Sequence, residues 1–160
     1  MTPLELLEAH APLVRSLIRL HLGNGPDAED AWQDVYLHVH RGWPSYRGPA
    51  APRTWLYRVA LNSLLTHHRR SKLRRTASLD DLPPASTPAE DPHHRHHATE
   101  SLHLALNRLE PLERTLIALH LEGFDYQEIS DVTGLTPGAV GVRIHRIRKR
   151  LISWIGTPTP

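Results

Sequence analysis

The chain has no cysteine, a single methionine and a single phenylalanine, and no apolar run near the ~20 residues a bilayer span requires. The missing cysteine excludes disulfides, thiolate zinc sites and cysteine nucleophiles. The N-terminus, MTPLELLEAH, has neither a basic leader region nor a small-residue cleavage site, so the expected location is cytoplasmic, with no membrane insertion. One Phe against fourteen Pro points to small cores rather than one large core. A hydrophobic content of 39% and a mean hydropathy of −0.42 fit a soluble globular protein of one domain or two small ones.

The most informative absence is local. Residues 41–76 hold nine Arg and Lys and no carboxylate; residues 136–160 hold five and none. Residues 1–40, 77–100 and 101–135 each sum to −4, so a net charge of +2 conceals two concentrated cationic segments. A block of like charge can be a plain solvated face. Two such blocks, each within a helical pattern, favour a polyanion, because every neutralised phosphate releases condensed counterion.

Along the chain, Leu4, Leu7, Val14, Leu17 and Ile18 recur at three- and four-residue spacing and predict a helix over 4–22. Gly23-Asn24-Gly25-Pro26 breaks it. Asp27 is the expected N-cap of a second helix reaching about Arg41, with Ala28, Ala31 or Trp32, Val35 and Val39 inward. Gly42 to Pro52 reads as a loop, and a third helix runs from about Arg53 to Leu73 through Leu56, Val59, Ala60 and Leu64. Residues 77–100, with Pro83, Pro84, Pro88, Pro92 and His93-His94-Arg95-His96-His97, cannot bury a core and form a linker, ~80 Å long if extended. Periodicity resumes near Ser101 and continues through Pro111–Leu121. No segment alternates long enough to be a strand. The expected fold is all-α: two small helical domains, 1–76 and 101–155, joined by a flexible linker over 77–100.

Asp125 can cap a short helix, Tyr126–Val132, closed by Thr133-Gly134-Leu135; Thr136 then caps a second with Pro137 at its first position. Helix, Gly-containing turn, capped basic helix is helix-turn-helix grammar. At 100° per residue Val140, Ile144, Ile147 and Leu151 face the core. Gly138, Val142, His145, Arg146 and Lys149 lie opposite, flanked by Gly141 and Arg148 on one side and Arg143 and Arg150 on the other. Such a helix reads bases with outward residues and holds phosphates with flanking cations. Gly141 should soften it by ~1 kcal/mol relative to Ala.

Two blocks of sequence carry a family resemblance. Residues 28–37, AEDAWQDVYL, then Tyr46-Arg47-Gly48, then residues 53–62, RTWLYRVALN, resemble region 2 of the extracytoplasmic-function (ECF) group of bacterial sigma factors. Residues 122–129, EGFDYQEI, with Gly134-Leu135 and Val140 to Leu151, are similar to region 4 of that group. The blocks cover both domains, in the family's order. Pro52 stands where the family usually has Phe, Thr66 where Asp is frequent, and Thr133 where Leu is usual. Gly141 and Val142 stand in place of a basic residue and Ser.

The resemblance implies a factor that binds RNA polymerase core, recognises −10 and −35 promoter elements and helps to melt the −10 region. It implies that Asp30, Gln33, Asp34 and Leu37 dock on the polymerase clamp helices, where acidic charge suits a basic coiled coil. The C-terminal domain would meet the flap. For the −10 element it points to Ser45, Tyr46 and Arg47 in the loop, then Arg58, Asn62, Thr66, Arg69 and Arg70 along the third helix. Melting needs a pocket or stacking surface for an unpaired base and cations along the strand. Trp55, beside Leu56 and Val59, is expected in the core rather than as a stacking platform. For the −35 element it points to Thr136, Gly138, Val142, Arg143, His145, Arg146, Lys149 and Arg150. The linker acids Asp80, Asp81, Glu90 and Asp91 suit a channel made for RNA, and equally suit plain solubility. The resemblance leaves room for an anti-sigma factor as a further partner.

No catalytic residue, cofactor or metal site is assigned, and the expected activity is non-enzymatic. A one-component helix-turn-helix regulator is the alternative, but a sensor over 1–76 should offer a pocket rather than nine uncompensated cations. The thirteen His motivate a metal protein, yet neighbouring His in a Pro-rich linker make no preformed site and at most bind nickel or zinc adventitiously.

Overall fold

The computed structural model describes residues 1–77 and 96–156, which are helical apart from short connections and contain no strand. Seven α-helices follow one another: α1 Pro3–Leu22, α2 Pro26–Gly42, α3 Pro52–Ala77, α4 His96–Asn107, α5 Pro111–Leu121, α6 Tyr126–Thr133 and α7 Pro137–Ile155. A 3₁₀ turn, Trp43–Ser45, follows α2. The linker acids Asp80, Asp81, Glu90 and Asp91, and His93, His94 and Arg95, lie outside the described residues.

Local chemistry sets most boundaries. Thr2 caps α1 in a reciprocal box with Glu5, Asp125 caps α6 with Glu128, and Thr136 caps α7 by accepting from the Ala139 N–H. Gly134, in the left-handed region at φ 81°, closes α6 without a Cβ penalty. Three boundaries differ from expectation. The N-cap of α2 is Gly25 rather than Asp27: Pro26, whose ring presets helical φ and whose missing N–H costs nothing, takes the first position. Asp27 then sits in the first turn, where its charge meets the positive helix end. Helix α3 continues to Ala77, past Leu73, and α4 begins at His96 rather than Ser101, so described helix enters both ends of the proposed linker.

Helices α1, α2 and α3 pack together through Leu6, Leu7, Val14, Leu17, Ile18, Ala31, Val35, Val39, Leu56, Ala60 and Leu64, all buried. Leu4 does not join them; it is 48% exposed, and Leu6 holds the inward place. In the second half, Val140, Ile144, Ile147 and Leu151 of α7 face Leu116, Leu119, Ile129 and Val132, as the helical spacing requires. The expectation of separate small cores fails at one place. Tyr57 of α3 and Phe124, before α6, meet edge to face at 5.3 Å between ring centroids, and the buried residues of both halves form one continuous cluster. The single Phe is spent on this junction.

Candidate nucleic-acid interface

The loop after α2 is folded by the side chains expected to meet DNA. Trp43 stacks on Tyr46 at 5.3 Å and 22°, and Trp55 closes the trio at 5.7 Å from Trp43 and 5.5 Å from Tyr46. Tyr46 Oη donates to the Ala50 carbonyl at 2.5 Å, Ser45 Oγ donates to the Gly42 carbonyl at 2.7 Å, and Arg47 donates to the Pro44 carbonyl. Gly48 has φ 80°, which a side chain would strain. Trp55 is half-buried; it packs on the core as expected and is also part of this aromatic surface.

Along α3, Arg58, Asn62, Thr66, Arg69 and Arg70 are all exposed, and at 100° per residue they span one side of the helix. Thr66 Oγ1 donates back to the Asn62 carbonyl at 2.9 Å. On α2, Asp30, Gln33 and Leu37 are exposed, Leu37 at 42% beside Tyr36 at 39%. Asp34 is partly engaged: His67 Nε2 of α3 donates to its Oδ2 at 2.7 Å.

On α7, Gly138, Val142, Arg143, His145, Arg146 and Lys149 are exposed, as is the cap Thr136. Arg150 is not: it donates to Glu113 Oε1 of α5 at 2.5 Å and lies 5.9 Å from the Trp154 ring, which ties α7 to α5. Gly141 has a packing reason. A Cβ there would stand 3.0 Å from Tyr126 Cε2, tighter than most such contacts, so the ring would have to give by a few tenths of an ångström. The spacing of apolar residues along α7 carries no trace of this, because Tyr126 comes from another helix.

A second set of residues was not anticipated. Between the halves, Arg53 of α3 pairs with Glu128 of α6 and lies over the Phe124 ring at 4.7 Å. Arg58 donates to the Asp131 carbonyl, Nε at 2.9 Å. His21 Nε2 meets Thr115 Oγ1 at 2.9 Å while its Nδ1 meets His68 Nε2 at 3.1 Å. Arg114 Nη1 donates to the Leu20 carbonyl at 3.4 Å. Burial pushes His21 down to about 3, with His68 and Arg114 adding to the effect, and pushes the Tyr57 hydroxyl up to about 12. The only signal in the sequence was the opposite charge of residues 41–76 and 101–135.

The comparisons fit this geometry. The sigma-70 region 2 family model matches residues 6–74, and the sigma-70 region 4 model matches residues 99–151. The chain is 32% identical over 95% of its length to the ECF RNA polymerase sigma factor SigM of Mycobacterium tuberculosis, spanning 76% of that protein. The chain belongs to the ECF group of RNA polymerase sigma factors. This sigma factor is also 31% identical to CarQ of Myxococcus xanthus over 95% of the chain and 88% of CarQ. It shares its fold with the sigma factor RpoE of Bartonella quintana, solved in complex with the anti-sigma factor NepR, at a TM-score of 0.75 and 21% identity over 96% of each chain. CnrH, solved in complex with the cytosolic domain of CnrY, follows at a TM-score of 0.63 and 21% identity over 93% of this chain and 84% of that one. As a sigma factor it directs transcription initiation at promoters, with RNA polymerase core and promoter DNA as its partners. The regulator alternative falls, because the region 2 match fills the half it reserved for a sensor. No helix among the described residues is long and apolar enough to cross a membrane, and none of their His, Asp and Glu form a group of three or more able to hold a metal.

Proposed function

We propose that this sigma factor divides its work between two domains, residues 1–76 for polymerase core and the −10 element and residues 101–155 for the −35 element, and that it acts in the cytoplasm without enzymatic activity of its own. Asp30, Gln33, Asp34 and Leu37 dock on the polymerase clamp helices. Arg58, Asn62, Thr66, Arg69 and Arg70, with the Ser45–Arg47 loop, engage the −10 strand. Thr136, Gly138, Val142, Arg143, His145, Arg146 and Lys149 engage the −35 duplex, and Arg150 supports the helix that carries them. The exposed, carboxylate-free side of α3, running beside the Trp43–Tyr46–Trp55 surface, is the observation that carries the reading. Cations aligned beside aromatic rings suit an unpaired strand. An anti-sigma factor is a further candidate partner, since RpoE, of like fold, was solved with one.

Asn62 tests the assignment, because its amide can pair two hydrogen bonds with a base edge. Asn62→Ala should leave core polymerase binding intact and reduce permanganate reactivity of unpaired thymines at the −10 element. Wild-type reactivity in the variant would remove Asn62 from the role.

A further inference from the structure

Asp34 stands at the edge of the face that the proposed reading gives to polymerase. On α2, Asp34 and His38 lie one turn apart, between the exposed face of Asp30, Gln33 and Leu37 and the inward stripe of Ala31, Val35 and Val39. On α3, Ser63 and His67 are likewise one turn apart, on the flank turned to α2. Two polar rungs cross the seam. His38 Nδ1 meets Ser63 Oγ at 2.7 Å, and His67 Nε2 donates to Asp34 Oδ2 at 2.7 Å. The pairs run in opposite order along the two helices, 34 with 67 and 38 with 63, as an antiparallel contact requires.

The second rung is not what holds α2 on α3. Val35, Val39, Leu56, Ala60 and Leu64 are buried in that core, whereas the Asp34 side chain is 36% exposed. A pair open to solvent on one side adds little stability beside a packed aliphatic layer. What the rung controls is direction. An aspartate on a helix surface turns about two side-chain bonds, and each rotamer aims its oxygens differently. The His67 ring, 17% exposed, is packed in the seam and takes Oδ2 at the short, charge-assisted end of the hydrogen-bond range. Among the described residues Oδ1 has no partner, so it is left for a donor from outside.

We infer that His67 is a positioning residue for polymerase docking, holding the Asp34 carboxylate so that Oδ1 accepts from a basic side chain of the clamp. This rests on the docking assignment of Asp34 above and adds how that carboxylate is aimed. Fixing the acceptor before binding removes the rotamer cost that association would otherwise carry. The neighbours of His67 on α3, Thr66, Arg69 and Arg70, belong to the stripe proposed for the −10 strand. His67 lies off that stripe and serves α2 instead.

The test measures core affinity by fluorescence titration of the full chain, with melting curves to check folding. His67→Leu keeps the bulk and loses the donor, and should bind core about fivefold more weakly than wild type. His67→Gln, whose amide nitrogen can take the place of Nε2, should stay within about twofold of wild type. Asp34→Ala should bind about tenfold more weakly, and adding His67→Leu to it should change affinity by less than about 1.5-fold. His67→Ala, run alongside, carries the same expectations as His67→Leu if that variant does not fold. With core saturated by His67→Leu chain, permanganate reactivity at the −10 element should return to the wild-type level, because the defect lies in docking. Wild-type core affinity for His67→Leu, an equal loss for His67→Gln, or an undiminished loss in the Asp34→Ala background would overturn the inference. So would impaired −10 reactivity at saturation, which would assign His67 to the strand. Wild-type core affinity for Asp34→Ala would instead remove the docking assignment itself.

Discussion

Gly141 illustrates how a residue can be misread from helical propensity alone. In an isolated helix, Gly141→Ala would gain ~1 kcal/mol. In the folded chain the added methyl meets the Tyr126 ring at 3.0 Å, so the ring must shift from its place beside His120, 5.8 Å away between centroids. Gly141→Ala should therefore give no stabilisation in the wild-type background, and the gain of ~1 kcal/mol should reappear when Tyr126 is also replaced by Ala. Thermal unfolding of the two single variants and the double variant checks this; additive effects would show that Tyr126 yields without cost. Val142, the next residue along α7, is 51% exposed and can contact a thymine methyl.

At the scale of the element, α7 shows which parts of a reader helix pattern analysis reaches. Its N-cap Thr136, its Pro at the first position and its inward stripe were all legible, because each depends on neighbours within one or two turns. Arg150 was not, since its partner Glu113 lies 37 residues away. Two substitutions separate the roles. Arg146→Ala should cost ~1–3 kcal/mol in −35 binding and flatten preference at one position, provided its guanidinium is bidentate to a guanine. Arg150→Ala should weaken all duplexes alike and lower stability by about 1 kcal/mol, as an ion pair open to solvent on one side allows. Selection of preferred −35 sequences, with melting curves for both variants, gives the answer; an unaltered preference profile for Arg146→Ala would mean that it holds only the backbone.

Across the whole molecule, the contact between the halves has a titratable centre. His21 of α1 is buried against Thr115 of α5, with His68 of α3 on its other nitrogen and Arg114 of α5 nearby. Its folded value of about 3 lies below the ordinary 6.5, so folding requires the neutral ring. The stability of the packed form is then complete above 6.5 and falls as pH drops from 6.5 towards 3, by about 2 kcal/mol at pH 5. Melting temperatures from pH 7.5 to 4.5 should fall more steeply for wild type than for His21→Leu, which lacks the titrating group. Parallel curves would exclude His21 as the source. The contact itself could not be read beforehand: the −4 of residues 101–135 and the nine cations of residues 41–76 were plain in the sequence, but each is as consistent with solvent as with the other.

The sequence by itself determined the helical class, the N-caps of α6 and α7, the inward stripes of α2, α3 and α7 and the order of the two sigma regions. These follow from hydrophobic period, capping side chains and short motifs, all interactions between residues close along the chain. Only the tertiary structure decided that Phe124 joins the two cores, that Arg150 braces α7, that Gly141 makes room for Tyr126, and that Arg58 rests on the end of α6. Each of these pairs residues that no periodicity relates, brought together by how whole helices pack.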